Sequence, residues 1–190
     1  MARSERSKNA IAMALLELIA SGQAAPTARQ IAEHAGISLR LVFHHFQDMA
    51  AVYNMMLALQ FERLTPLLAL DIPESAPFEK RLADFIDHRT TLLEFISPTR
   101  RAVLASGLSD AVAQGVDLCR KIKEEQVGRV FGPELSKHEK KEANRRLAAL
   151  KAATSWLVWH GLRDHQGLSI EETGRVMTHM VRSTLLFGQP

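Results

Sequence analysis

Arg40 lies in a short segment of this 190-residue sequence whose residue types suit contact with DNA. An arginine fork can pair with the two acceptor atoms of a guanine, and the neighbouring Ser38 and His44 can donate to phosphate oxygens. Leu39 and Leu41 can touch thymine methyl groups. These contacts require the flanking sequence to place the five side chains on an exposed surface. A solvated surface arginine is the alternative for Arg40.

The flanking residues predict two short helices joined by a tight turn. Thr27 and Gln30 have the spacing of a capping box, which predicts a helix over 28–35. Gly36 can take the left-handed conformation that ends helices, and Ser38 is a good N-cap for a second helix. This arrangement is typical of the helix-turn-helix, whose second helix enters the DNA major groove. An ordinary helical hairpin is the alternative.

This segment resembles the N-terminal motif of the TetR family of transcriptional regulators. The family pattern runs roughly T-x-x-x-I-A-x-x-A-G-V-S-x-x-x-[LI]-Y-x-[HY]-F-x-x-K. The sequence matches it at Thr27, Ile31, Ala32, Ala35, Gly36, Ser38, His45 and Phe46, and conservatively at Ile37 and Val42. The detailed resemblance covers residues 8–60, and the remainder is similar only in length and helical character.

The resemblance also implies which residues hold DNA phosphates. Thr27 and His45 retain two of the family's phosphate contacts. Phe43 replaces a tyrosine and lacks its hydroxyl, and Met49 replaces a lysine and lacks its charge. The side chains expected to compensate for these two losses are Arg29, His44 and the N-terminal Arg3, Arg6 and Lys8. The alternative for Arg3, Arg6 and Lys8 is a disordered, solvated arm that does not contact DNA.

Composition is typical of a globular protein. The chain is 46% hydrophobic, and its net charge of +3 is too small for DNA binding to be argued from charge alone. The single cysteine, Cys119, excludes an intramolecular disulfide and fits a reducing cytoplasm. No apolar run approaches the ~20 residues of a membrane span. We therefore expect a cytoplasmic protein with no membrane contact.

Apolar residues recur with a helical period along the whole chain, which predicts an all-α fold of about nine helices. Besides the two helices of the motif, the expected ranges are 7–21, 49–64, 78–95, 98–106, 110–131, 137–165 and 170–187. Serines at 97, 109, 136 and 169 are the predicted N-caps of the last four. The proline-punctuated segment 65–77 is the expected connection between a DNA-binding domain, 1–64, and a second domain, 78–190.

By resemblance, the second domain forms a homodimer through its last two helices and holds an effector pocket. Those helices carry apolar or small residues at Leu147, Leu150, Thr154, Leu157, Val158, Gly161, Ile170, Thr173, Gly174, Met177, Met180, Val181 and Thr184. A two-fold dimer suits a palindromic operator. The alternative for these residues is burial within the subunit.

The candidate pocket residues combine apolar surface with a few polar groups. They are Phe85, His88, Arg89, Leu92, Cys119, Ile122, Trp156, Trp159 and His160, with plain core packing as the alternative for each. A mostly apolar small molecule is the expected effector, and Arg89, Arg100 or Arg101 can meet an anionic group.

No cofactor, metal or catalytic activity is predicted. His160 and Asp164 share a helical face, but no Cys/His cluster with zinc spacing accompanies them. Gly-rich phosphate loops and nucleophile elbows do not occur. The sequence thus favours a DNA-binding regulator, with repression by a palindrome-bound dimer and release by an effector implied by the family. A helical ligand- or protein-binding module with weakened DNA affinity is the alternative.

Overall fold

The computed structural model describes residues 3–108 and 113–186, and in these residues the chain is α-helical without strands. The helices are α1 Arg3–Ala20, α2 Ala28–His34, α3 Leu39–His45, α4 Met49–Leu64, α5 Phe78–Ala105, α6 Ala113–Val130, α7 Gly132–Leu135, α8 Lys140–Ala153, α9 Trp156–His160 and α10 Ile170–Leu186. A 3₁₀ turn follows α4 at Thr65–Leu68, and a π-helical turn follows α9 at Gly161–His165. The predicted all-α fold is confirmed.

The chain forms two compact units. The first contains Met1–Pro66 and Ile96–Cys119, and the second contains Leu67–Phe95 and Arg120–Pro190. The segment predicted to connect two domains, 65–77, spans the point at which the chain passes from the first unit to the second. The assignment of DNA binding to one part and ligand binding to the other stays a prediction.

The core of the first unit is built on α1. The predicted apolar stripe of this helix, which includes Ile11 and Leu15, is buried against α2, α3 and α4. Ile31 from α2 and Val42 from α3 complete the same core. The helix begins at Arg3, four residues earlier than predicted, and ends near the expected stop at Gly22.

The prediction of separate helices over 78–95 and 98–106 is wrong. The chain forms one helix, α5, with Pro98 inside it. Ser97 and Thr99, on either side of the proline, are both buried. Packing of the flanking residues therefore favours a continuous helix, although Pro98 lacks the N–H that a helix interior normally uses.

The prediction of one long helix from Ser136 to His165 is also wrong. The Ser136 hydroxyl donates to the Pro133 carbonyl, 3.1 Å away, and does not cap the next helix. Ser155 instead caps α9 by accepting from the Val158 N–H at 3.3 Å, so the chain breaks after α8. The Ser169 cap is confirmed, because its hydroxyl accepts from the Glu172 N–H at 3.1 Å. The predicted cap Ser109 and helix end Phe187 lie outside the described residues.

The second unit has an aromatic core with a buried ion pair beside it. Phe85 packs edge-on against Phe131 with ring centroids 5.1 Å apart, and Trp159 is fully buried. The Arg81 guanidinium pairs with the Glu134 carboxylate, and both side chains are buried. These contacts tie α5 to the segment that follows α6.

Candidate nucleic-acid interface and ligand cleft

The capping box that begins α2 has the geometry expected from the sequence. The Thr27 N–H donates to Gln30 Oε1 at 2.8 Å, and the Gln30 N–H donates to Thr27 Oγ1 at 3.3 Å. The Thr27 hydroxyl also lies 2.9 Å from Gln30 Oε1, to which it donates. Thr27 is exposed, so this hydroxyl can exchange that internal bond for one to a phosphate oxygen.

The turn between α2 and α3 is a Schellman motif. Gly36 has φ +66°, the left-handed conformation that a glycine takes without steric cost. Its N–H donates to the Glu33 carbonyl at 3.2 Å, and the Ile37 N–H donates to the Ala32 carbonyl at 3.0 Å. Ile37 and Ala32 also pack in the core of the first unit. The angle between the two helices is thus fixed by backbone bonds and by packing.

Helix α3 begins at its predicted N-cap, because Ser38 Oγ accepts from the Leu41 N–H at 3.2 Å. Val42 anchors the helix in the core. Arg40 and His44 are exposed on the helix. The Arg40 guanidinium and the His44 imidazole are therefore exposed to solvent on a helix that Val42 anchors in the core.

The remaining candidate DNA contacts differ in exposure. Phe43 is 50% exposed, so it offers an apolar surface where the resembled family has a tyrosine. Leu39, Leu41 and His45 are half-buried, and Leu39 packs against the core. Leu39 therefore has less surface free for a thymine methyl than the sequence suggested.

The basic residues around the motif are few. Arg6 and Arg29 are exposed, whereas Lys8 is half-buried and lies 3.5 Å from the Glu5 carboxylate. The Arg3 side chain lies outside the described residues. Met49, at the start of α4, is half-buried against the core, and the preceding Asp48 caps this helix by accepting from the Ala51 N–H at 2.8 Å.

Most of the candidate pocket residues form the core of the second unit. Phe85, Arg89, Leu92, Trp156 and Trp159 are all buried. The Trp159 indole N–H donates to Glu94 Oε1 at 2.8 Å. His160 stacks on Trp156 with centroids 4.7 Å apart and bonds Asp164 at 2.6 Å. Nothing is described of the Cys119 side chain.

An open cleft of about 410 Å³ lies beside that core. Of the predicted pocket residues whose side chains the structure describes, only Ile122 lines it. The residues lining the cleft are Leu68, Ala69, Leu70, Ile122, Glu125, Gln126 and Arg129. Sequence reasoning missed all of these except Ile122. The available signal was the proline-rich segment around 66–77, which brings apolar residues to a loop.

Three side chains hold residues 67–70 at this cleft through backbone carbonyls. His88 Nε2 donates to the Leu67 carbonyl at 2.9 Å, and Gln126 Nε2 donates to the Leu68 carbonyl at 2.7 Å. The Arg129 guanidinium donates to the Leu70 carbonyl. The segment that directly follows α4 in the chain is therefore held by polar bonds that a ligand could compete for.

Arg89 is a buried cation next to the cleft. Its side chain is 1% exposed, and Nη2 donates to the Lys123 carbonyl at 3.0 Å and to Gln126 Oε1 at 3.3 Å. The guanidinium also lies 4.8 Å from the Phe85 ring centroid. Burial lowers the pKa of Arg89 to about 10, so the group stays charged at neutral pH.

His88 is held as the neutral tautomer that carries its proton on Nε2, which donates to Leu67. Its Nδ1 is buried and has no hydrogen-bond partner within residues 3–108 and 113–186. Burial lowers the pKa of His88, and the charge of Arg89 acts in the same direction.

The face predicted to form a dimer is only partly available. Six of its residues are buried within the chain itself: Leu150, Thr154, Thr173, Gly174, Met177 and Val181. Gly174, for example, faces α5, where an added Cβ would lie 3.4 Å from a Thr90 methyl group. Leu157 is 70% exposed and Ile170 is 46% exposed. Within the predicted face, Leu157 and Ile170 are therefore the residues with the most surface free for contact with a second copy.

Comparison with solved structures identifies the fold. The chain is similar to a transcriptional regulator from Rhodococcus sp. Rha1, with a TM-score of 0.63 and 19% identity over 94% of this chain and 95% of that one. It is also similar to a TetR-family transcriptional regulator from Streptomyces coelicolor, with a TM-score of 0.67 and 17% identity over 93% of this chain and 80% of that one.

The chain therefore has a TetR-like, all-α fold, and the predicted resemblance to this family is confirmed at the level of fold. No family model matches the sequence, and no curated protein matches it. In the described part of the chain, no helix is both long and apolar enough to cross a membrane.

Proposed function

We propose that this protein is a DNA-binding transcriptional regulator that acts as a ligand-responsive repressor. The observation that carries the proposal is the helix-turn-helix, with its Schellman turn at Gly36 and an exposed Arg40 on the second helix. α3 enters the major groove, and α2 crosses the DNA backbone. Arg40 reads a guanine, and Thr27, Arg29 and His45 contact phosphates.

The regulator binds a palindromic operator as a homodimer. Two recognition helices related by a two-fold axis reach half-sites about 34–36 Å apart. Leu157, the most exposed large apolar residue described, and Ile170 support an interface through the C-terminal helices. An apolar side chain exposed to this degree is stabilised when a second copy covers it.

A small-molecule effector binds the cleft beside α6 and releases the operator. Coupling between the cleft and DNA binding is supported by the hydrogen bonds that His88, Gln126 and Arg129 donate to the backbone carbonyls of residues 67–70. These residues follow the DNA-binding helices directly in the chain. An effector that binds one arrangement of this segment more tightly shifts the population toward it and lowers affinity for DNA.

Selection of bound fragments from genomic DNA tests the regulator function. The full-length chain should enrich a palindrome, and fluorescence anisotropy on that site should show loss of preference for it in Arg40→Ala. A Leu104→Ala variant, which changes an exposed leucine on α5, is the matched control and should keep the preference.

The rival function is a ligand- or protein-binding module whose helix-turn-helix no longer binds DNA. It is favoured by the half-buried Met49, which puts an uncharged side chain where the resembled family has a phosphate-binding lysine. Absence of enrichment even at low salt, where phosphate contacts are strongest, would favour this function over the regulator.

A further inference from the structure

We propose that the cleft beside α6 binds a small amphipathic carboxylate whose charged group pairs with Arg89. This carboxylate is the effector of the proposed regulator, so its effect on DNA binding rests on the proposed function. Binding itself is a property of the second unit.

The charge of Arg89 is not balanced by any described residue. Buried cations are normally paired with a carboxylate, because an unpaired buried charge is costly. No carboxylate among the described residues pairs with Arg89, and the two oxygens that accept its hydrogen bonds are neutral. A 99% buried arginine that no described residue neutralises forms a site that an anion would complete.

The Arg89 guanidinium has one N–H group, on Nε, that donates to no described residue. Nε is buried and has no acceptor in the described part of the chain, whereas Nη2 holds Gln126 at the long distance of 3.3 Å. Nε and Nη2 form one edge of the arginine fork, which matches the two oxygens of a carboxylate. The Gln126 carboxamide oxygen occupies one of these two positions.

Gln126 links Arg89 to the cleft. This residue lines the cleft, and its Oε1 accepts from Arg89 Nη2 at 3.3 Å. Rotation of the Gln126 side chain would free this Arg89 donor for a ligand in the cleft. Leu68, Leu70 and Ile122 supply apolar surface for the rest of the molecule. A volume of about 410 Å³ suits a small organic acid.

Carboxylate binding should also loosen residues 67–70. The same Gln126 amide that the ligand displaces from Arg89 donates to the Leu68 carbonyl. An uncharged amide ligand with the same shape as the carboxylate can take the position of the Gln126 carboxamide, but it cannot neutralise the charge of Arg89. Charge, and not shape alone, therefore decides affinity.

The test compares acids with their uncharged amides on the full-length protein. Octanoate and 3-phenylpropionate, with octanamide and 3-phenylpropionamide as controls, are followed by thermal shift and titration calorimetry. The acids should bind the wild type more tightly than the amides. Arg89→Met should lower affinity for the acids about 10- to 100-fold and leave the amides nearly unchanged. Arg175→Met, which removes an exposed arginine of the same unit, should keep the preference.

A second variant keeps the proposal testable if Arg89→Met fails to fold. Gln126→Glu places a carboxylate on Arg89 within the chain, so added octanoate should lose its advantage over octanamide. Equal responses to acids and amides in the wild type, including no response to either, would overturn the proposal, as would an acid preference that survives both substitutions. Acid binding without operator release would instead leave the site intact and count against the regulatory function.

Discussion

Arg81 and Arg89 lie about two turns apart on α5 and both are buried, yet among the residues that the structure describes only Arg81 faces a carboxylate. Arg81 Nη1 donates to Glu134 Oε2 at 3.0 Å, whereas the Arg89 bonds go to a backbone carbonyl and to an amide oxygen. One arginine therefore completes an ion pair inside the second unit. The other has no counter-ion in the described part of the chain.

The two arginines should respond oppositely to the same substitution. Arg81→Met leaves the Glu134 carboxylate buried without its partner and should lower the free energy of unfolding by about 3–5 kcal/mol. Arg89→Met removes an uncompensated charge and should be neutral or stabilising. Urea denaturation followed by tryptophan fluorescence, which reports on Trp156 and Trp159 in the same unit, measures both. A comparable loss in both variants would contradict this account.

His88 should make the protein less stable as the pH falls. Its pKa in the folded protein lies below the ordinary value of about 6.5, so the unfolded chain takes up a proton first. The stability contributed by neutral His88 is present above pH 6.5 and is lost as the pH falls from there toward the folded pKa. His88→Gln cannot titrate and should show a flatter dependence of melting temperature on pH between 7.5 and 5. Identical slopes in the two proteins would refute this role.

Arg40 and Arg29 should differ in what they contribute to DNA binding. Arg40→Ala removes the proposed base contact, so it should cost about 1–3 kcal/mol on the operator and relax the sequence preference of the protein. Arg29→Ala removes a proposed phosphate contact and should weaken binding to operator and unrelated DNA alike, with a salt slope that is shallower by about one. Anisotropy titrations on both DNAs at several salt concentrations separate the two effects. If both variants lose the same affinity for operator and for unrelated DNA, Arg40 does not recognise a base.

Restoring the missing family contacts should strengthen DNA binding. Met49→Lys adds a cation at the start of α4 and should steepen the salt dependence, because it adds one phosphate contact. Phe43→Tyr adds a hydroxyl to a side chain that is already half exposed and should raise affinity with little change in slope. The same titrations measure both. Unchanged affinity in both variants would show that the helix-turn-helix does not contact DNA phosphates in the way that the resembled family does.

Leu157 should be required for the dimer. Leu157→Glu places a charge at a site that a second copy would bury, so light scattering after size-exclusion chromatography should show a monomer. Leu104→Glu alters a leucine of similar exposure, 53%, on α5 and should leave the oligomeric state unchanged. A dimer that persists in Leu157→Glu would exclude this face.

Local sequence determined the helix-turn-helix. The Thr27 capping box, the Gly36 turn and the Ser38 cap each rest on bonds between residues three to five positions apart. Such bonds depend on residue type and spacing alone, so the pattern was sufficient to predict α2, α3 and the start of α4. The same local reasoning failed at Pro98 and Ser136, where burial and competing hydrogen bonds decided the helix ends.

The cleft could be found only in the tertiary structure. Gln126 and Leu68 are 58 positions apart, and Arg89 and Gln126 are 37 apart, so no spacing rule brings them together. The sequence selected aromatic stripes as the pocket, and the fold buried most of them in the core, because large apolar side chains gain the most from leaving water. The sequence by itself determined which local motifs form, since they satisfy their own backbone groups. Which arginine receives a counter-charge was decided by packing between distant helices.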